Sequence, residues 1–165
     1  PTYVLIADYL GVTTFQEGKD YIDEELDHEL EKLSEEEREK ASDAFNRDLR
    51  DTSTPAAMAL LLQKIWYKEI LSEENICLLL DIMRRCETGE ARIKGMLPEG
   101  TVVYHKTGTI GQTTNDVGIV ELPWDAGSIV MVIFIKEAEV DNEQSEKIIA
   151  EIARSLYDFY LFTDE

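Results

Sequence analysis

Apolar positions in the first 98 residues recur at the spacing of helices. Two stripes stand out, one of Met58, Leu61, Leu62 and Ile65, the other of Ile76, Leu79, Leu80 and Met83. A capping hydroxyl precedes each stripe, Thr54 before Pro55 in the first case and Ser72 in the second. Ser34 and Glu37 match a capping box for one more helix. The pattern predicts that residues 1–98 are mainly helical.

From residue 101 the pattern changes to short β-branched runs. Residues 101–104, 117–122 and 129–135 predict three strands, and the short connections favour an antiparallel meander. Asp141 or Asn142 then caps a last helix. Its predicted apolar face consists of Ile148, Ile149, Ile152, Ala153, Leu156 and Tyr160. Helices followed by three strands and a helix packed on the sheet predict an α+β fold, in a single domain over residues 1–165 with its strand part at 99–165.

Composition narrows the possible partners. The 35 acids exceed the 16 bases, which gives a net charge of −19. Such a charge disfavours binding to nucleic acid or to an anionic membrane surface, because both would repel the chain. The longest apolar run, residues 129–135, is far shorter than the roughly 20 residues that span a bilayer.

The two cysteines and two histidines offer little further chemistry. Cys77 and Cys86 would lie roughly 13 Å apart on one helix. That distance is too great for a disulfide, so we expect free, buried thiols. No Cys/His spacing suggests zinc, and we expect neither a metal nor a cofactor. His105 adjoins Lys106 on a strand and therefore points to the opposite face, as a core or surface histidine rather than a base.

The sequence Lys106-Thr107-Gly108 ends the first predicted strand, and a small, polar stretch follows at residues 109–116. Lys-Thr-Gly is one of three signature motifs of class A β-lactamases and penicillin-binding proteins. Further segments resemble class A sequences: residues 5–11, 50–59, 97–109, 114–116 and 149–157. Over nearly its whole length the chain resembles the C-terminal portion of the serine β-lactamase/penicillin-binding-protein superfamily.

This resemblance implies a site and a reaction. The family forms an acyl-enzyme from a β-lactam or a D-Ala-D-Ala peptide. By resemblance, Lys106 and Thr107 bind the substrate carboxylate and are the catalytic residues of this segment. Gly108 lets the substrate lie against the strand, and the Thr109 N–H is an oxyanion-hole donor. The resemblance also favours an extracytoplasmic location. A non-catalytic β-lactamase-like domain, used for binding or scaffolding, is the alternative.

Two of the three signature motifs are absent from the 165 residues. No Ser-x-x-Lys or Ser-x-Asn occurs, and Ser145 is followed by a lysine at the wrong spacing. We therefore expect the nucleophilic serine, its lysine and any targeting signal to lie upstream of Pro1, and this chain alone to be inactive. The class A Glu-Pro-x-Leu-Asn motif is also missing. Glu37 or Glu39 could replace its glutamate, although exposed helical glutamates are the favoured interpretation, so turnover stays open.

The resemblance also predicts an unpaired strand edge. In the family the sheet has five strands, and an N-terminal strand flanks the one that matches residues 129–135. An apolar strand without its neighbour is a template for pairing. We therefore expect self-association through this edge, or binding of a complementing N-terminal segment.

Overall fold

The computed structural model describes residues 8–12, 28, 31–50 and 52–163. The chain forms two compact units, residues 1–53 and residues 54–165. In the first unit, helix α1 spans Glu35–Asn46. Ser34 and Glu37 form the predicted capping box, in which each side chain binds the backbone N–H of the other residue. This prediction is confirmed because capping depends only on residues three apart.

A second contact in this unit joins distant residues. Residues 8–10 are helical and end at Gly11, whose φ is +78°. The ring of Tyr9 meets that of Phe45 edge to face, with centroids 5.2 Å apart. Arg50 donates to Asp8 at 2.6 Å, so the end of the unit is tied to its beginning.

Two helices open the second unit, α2 at Pro55–Trp66 and α3 at Glu73–Arg84. The hydroxyls of Thr54 and Ser72 each accept a backbone N–H from the first turn, so both predicted starts are confirmed. Short 3-10 helices follow at Ile93–Met96 and, later, at Pro123–Asp125.

The three strands form an antiparallel meander in the order β1-β2-β3, as predicted. The strands are β1 at Val103–Ile110, β2 at Thr113–Glu121 and β3 at Ser128–Ile135. The first two are longer than the sequence predicts. Residues 109–116 are strand except for the two-residue turn at Gly111 and Gln112, where Gly111 has φ +52°. The Lys-Thr-Gly motif therefore lies within β1 and does not end it.

Helix α4 spans Asn142–Thr163. Asp141 caps it, since its carboxylate accepts the N–H of Gln144 at 2.8 Å. Its buried residues are Ser145, Ile149, Ala150, Ala153 and Tyr157. The predicted face was partly wrong, because Ile152 and Tyr160 are 41% and 46% exposed. The buried row packs on the 3-10 helix at Ile93–Met96, a contact that apolarity alone does not reveal.

Two apolar cores separate the sheet from its helices. The first core lies between one face of the sheet and α4, and it includes Ile93, Val103, Val120, Met131, Ile133, Ile149 and Ala153. The second core lies between the other face and helices α2 and α3, and it includes Leu62, Ile65, Met83, Val117 and Ile119. Successive strand residues alternate between these cores. The second unit is thus a layered α+β structure whose central sheet carries the motif.

Both cysteines are free, as predicted, but neither is buried. Helix α3 ends at Arg84, so Cys86 lies beyond its end and is half-buried. Cys77 is exposed because the inward face of α3 passes through Ile76 and Met83. The expectation of buried thiols was therefore wrong.

Candidate functional site

Strand β1 presents residues 106–109 along its open edge. Within the described sheet, β1 pairs with β2 on one side and with no strand on the other. The N–H of Glu121 donates to the carbonyl of Val102 at 3.0 Å. Because hydrogen-bonded and non-hydrogen-bonded pairs alternate in antiparallel sheets, the N–H and C=O groups of His105, Thr107 and Thr109 point away from β2. The open edge is therefore lined by backbone donors and acceptors.

The side chains of Lys106 and Thr107 leave opposite faces of β1. Lys106 is exposed and lies on the face of Tyr104, which packs on α2 and α3. Thr107 is half-buried and lies on the other face with His105. The Lys106 ammonium already reaches the edge, where it donates to the Thr107 carbonyl at 2.5 Å. A ligand that touches both side chains would have to lie along this edge.

Glycine at position 108 is not required for packing. Among the described residues, a Cβ built there would meet only the Cβ of Asn115, at 3.9 Å, which is ordinary contact distance. Gly118, on β2, is the opposite case. A Cβ there would lie 2.5 Å from the carbonyl oxygen of Tyr104, so the fold itself requires glycine. The open space above Gly108 is therefore available to a ligand.

The Arg92 side chain forms hydrogen bonds with β1 and β2 near the end of β1. Its side chain is only 7% exposed. It donates to four acceptors: the carbonyls of Gly108 and Asn115, the Thr109 hydroxyl at 2.6 Å, and Glu146 at 3.0 Å. The sequence did not indicate Arg92, because these partners lie 16 to 54 residues away. The planar guanidinium thus joins both strands and α4 beside the motif.

A buried histidine and a buried aspartate contact each other under the motif. The Nδ1 atom of His105 is 3.0 Å from Asp116 Oδ1, and both side chains are fully buried. Asp116 Oδ2 also accepts the N–H of Ile93 at 3.2 Å. The His105 Nε2 atom has no hydrogen-bond partner among the residues that the structure describes. His105 is therefore a core histidine, and Asp116, which the sequence placed in a polar turn segment, belongs to the core beside it.

The turn after α3 packs against Thr107. The Thr88 hydroxyl lies 2.6 Å from that of Thr107, and the Cys86 sulfur lies 3.4 Å from Thr88 Oγ1. Burial raises the pKa of the Cys86 thiol, but hydrogen bonds from Thr88 and the charge of Lys106 outweigh it. The pKa of this thiol therefore lies below its ordinary value.

Neither glutamate considered as a catalytic base is placed in the second unit. Glu37 and Glu39 lie on α1 and are exposed. The Glu37 carboxylate accepts the N–H and the hydroxyl of Ser34, at 2.9 Å and 2.8 Å. The backbone hydrogen bond from Ser34 lowers the pKa of Glu37. The capping of α1 therefore explains why a glutamate stands at position 37.

The residues that the structure describes contain neither a metal-binding cluster nor a membrane-spanning helix. Among them, no group of three His, Cys, Asp or Glu side chains could hold a metal ion. No helix in the same ranges has both the length and the apolarity to cross a membrane.

Known proteins resemble this chain in sequence and in structure. A model of the β-lactamase enzyme family matches residues 2–160. β-Lactamase VEB-1 of Pseudomonas aeruginosa is 36% identical in an alignment of 126 positions that covers 71% of this chain and 42% of VEB-1. The extended-spectrum β-lactamase PER-1 of the same organism is 41% identical over 109 residues, 62% of this chain and 35% of PER-1. The crystal structure of the TLA-1 extended-spectrum β-lactamase matches with a TM-score of 0.67 and 37% identity, over 79% of this chain and 48% of that one. The chain thus spans less than half the length of these relatives.

Proposed function

The chain belongs to the β-lactamase enzyme family, and we propose that it forms the C-terminal part of a serine hydrolase that acts on β-lactams or D-Ala-D-Ala peptides. Its helices, three-stranded sheet and C-terminal helix correspond to part of the class A β-lactamase fold. The observation that carries the proposal is the open edge of β1. Lys106 and Thr107 extend donor side chains from opposite faces of the strand there, and the backbone N–H of Thr109 points away from β2.

Lys106 and Thr107 bind the carboxylate that β-lactams and D-Ala-D-Ala peptides share. The exposed ammonium of Lys106 supplies a positive charge at the edge. Thr107 supplies a neutral donor from the other face. Hydrogen bonds to a charged acceptor are roughly twice as strong as neutral ones. An anion held by both groups is therefore fixed in position along β1.

The backbone of β1 binds the rest of the substrate. An extended ligand can pair with the open edge as an additional strand. The missing side chain of Gly108 leaves room for that approach. The N–H of Thr109 then donates to the oxyanion that forms when the carbonyl is attacked. Loss of one such donor typically raises the barrier by about 2.7–4 kcal/mol.

The nucleophile comes from residues outside this sequence. A serine oxygen would attack the lactam carbonyl, the C–N bond would break, and the released nitrogen would take a proton. The 165 residues contain no Ser-x-x-Lys. Since the chain spans 42% of VEB-1 and 35% of PER-1, the complete protein has room to supply that motif.

The free edge of β3 is covered by an N-terminal segment of the complete protein. In the described sheet, β3 pairs only with β2. Its sequence, SIVMVIFI, carries one polar residue in eight. An apolar edge of this length attracts another strand, so the isolated chain should self-associate. Light scattering tests this, and a monomer at micromolar concentration without a partner would contradict it.

Intact-mass analysis after incubation with benzylpenicillin tests the proposed function. The complete gene product should gain the mass of one penicillin on a serine, and the 165-residue chain should gain none. Penicilloic acid, whose ring is already open, is the control and should label neither. An adduct on the 165-residue chain would contradict the placement of the nucleophile. No adduct on the complete product, together with no hydrolysis of benzylpenicillin to penicilloic acid, would favour the non-catalytic binding domain.

A further inference from the structure

The turn that follows α3 contacts the Thr107 side chain on two sides. On one side, the Thr88 hydroxyl lies 2.6 Å from the Thr107 hydroxyl. On the other, the Thr107 methyl group occupies the space that a side chain at Gly89 would take. A Cβ built on Gly89 would lie 2.4 Å from Thr107 Cγ2, closer than real Cβ contacts come. The turn therefore contacts both heavy atoms on the β-carbon of Thr107.

These two contacts define one rotamer. The side chain of threonine has a single flexible angle, χ1, with staggered wells. A rotation of about 120° in either direction would move both the hydroxyl and the methyl group of Thr107 out of their present positions. The hydroxyl would then lose Thr88, and the methyl group would leave the gap at Gly89. A χ1 angle fixed in this way fixes the direction from which the hydroxyl can donate.

We propose that Thr88 is a positioning residue, paired with the gap at Gly89, that locks the Thr107 hydroxyl toward the carboxylate-binding edge of β1. The proposal deepens the proposed function and rests on it for the identity of the anion. Thr88 does not touch the substrate; it acts through Thr107. No local sequence motif marks this role, because Thr88 and Thr107 are 19 residues apart.

The direction of the hydrogen bond follows from counting protons. A hydroxyl has one proton and two lone pairs. For Thr107 to donate to a substrate carboxylate, it must accept the proton of Thr88. The remaining partner of Thr88 Oγ1 is the Cys86 sulfur at 3.4 Å. The Thr88 hydroxyl thus has a partner on each side, and the Thr107 proton is left for the ligand.

The first test replaces the hydroxyl while keeping the shape. Thr88→Val removes the hydrogen bond, and Thr88→Ser keeps it. In the complete gene product with labelled threonine methyl groups, three-bond NMR couplings to the Thr107 methyl carbon report χ1. Wild type and Thr88→Ser should show one rotamer, whereas Thr88→Val should show averaged couplings. A single unchanged rotamer in Thr88→Val would overturn the proposal.

A second pair of variants tests the steric contact. Gly89 and Gly100 have similar backbone angles, φ +76° and +83°, so alanine strains both backbones alike. A Cβ at Gly100 meets nothing within 4 Å, whereas one at Gly89 meets Thr107. Gly89→Ala should shift the Thr107 rotamer and Gly100→Ala should not. Identical couplings in the two variants would contradict the steric half of the proposal.

Kinetics separate a failure of this proposal from a failure of the proposed function. In the complete gene product, Thr88→Val should lower kcat/KM for benzylpenicillin about tenfold, the value of one hydrogen bond to a charged group, with KM carrying most of the change. Thr88→Ser should restore it. Unchanged kcat/KM in Thr88→Val would overturn the positioning role. If wild type does not react with penicillin, the proposed function fails, and the NMR couplings alone decide whether Thr88 fixes Thr107.

Discussion

The Nη2 atom of Arg92 lies 2.6 Å from the hydroxyl oxygen of Thr109, one position beyond the Lys-Thr-Gly motif. The same guanidinium reaches the carbonyls of Gly108 and Asn115, which face each other across β1 and β2. A buried cation thus holds the part of β1 whose backbone would contact a substrate. The shape of the open edge depends on this arginine as well as on strand pairing.

Arg92→Ala should lower the free energy of unfolding by about 3 kcal/mol, because it leaves Glu146 and two part-buried carbonyls without this buried donor. Denaturant unfolding followed by circular dichroism measures the loss. Arg85→Ala is the matched control, since its ion pair with Asp81 is exposed. Its effect should stay within about 0.5 kcal/mol. Equal losses in the two variants would show that Arg92 does not organise the strands.

Two glycines on neighbouring strands should respond oppositely to alanine. Gly108→Ala should leave the free energy of unfolding unchanged or raise it by up to about 1 kcal/mol, since its Cβ meets nothing closer than 3.9 Å. Gly118→Ala should lower it by about 2 kcal/mol or more, because its Cβ would lie 2.5 Å from the Tyr104 carbonyl oxygen. Only Gly108→Ala should slow penicillin acylation at preserved stability. Acylation at the wild-type rate would remove Gly108 from the proposed binding edge.

Glu37→Gln should leave deacylation of the complete gene product unchanged, because the Glu37 carboxylate caps α1 through Ser34. The measurement is the rate at which the penicilloyl adduct disappears. Glu39→Gln, on the same helix, is the matched comparison. A fall of about a hundredfold or more in Glu37→Gln alone would identify Glu37 as a general base.

The capping role of Glu37 also has a pH signature. The Ser34 N–H lowers the pKa of Glu37, so the ionised cap contributes stability above the unfolded-state pKa of about 4.3. That contribution is lost as the pH falls through the lowered, folded-state pKa. The melting temperatures of wild type and Glu37→Gln should therefore differ more at pH 7 than at pH 3. A difference that does not shrink in acid would argue against the charged cap.

Cys86 should react with iodoacetamide at a lower pH than an ordinary thiol. Hydrogen bonds from Thr88 and the charge of Lys106 outweigh burial and lower its pKa. In a Cys77→Ser background, the alkylation midpoint should lie below that of an unstructured cysteine peptide measured in the same assay. Lys106→Ala should raise the midpoint, since it removes a positive charge that stabilises the thiolate. A midpoint at or above that of the peptide would contradict this electrostatic picture.

Local signals predicted the parts of the fold that depend on neighbouring residues. The caps at Ser34, Thr54 and Ser72 are confirmed, as are the antiparallel meander and the family resemblance. The limits of β1 and β2 were wrong, because the polar residues 109–116 are held in strands by pairing partners across the turn.

The sequence pattern did not predict contacts between residues that lie far apart along the chain. Arg92 is separated by 23 residues from Asn115 and by 54 from Glu146. The face of α4 was misplaced at Ile152 because the helix packs on the 3-10 helix at Ile93–Met96 through its smaller residues. The motif itself was visible in the sequence, whereas the turn that orients Thr107 was not.

The most direct test of the carboxylate-binding edge compares benzylpenicillin with its methyl ester, which lacks the negative charge. In the complete gene product, Lys106→Ala should slow acylation by benzylpenicillin about thirtyfold or more, the usual cost of truncating one partner of a close charge pair. The same variant should slow acylation by the ester less than threefold, because the ester has no charge for Lys106 to bind. Equal slowing for both compounds, or none for either, would contradict the role assigned to Lys106 and with it the central account of this site.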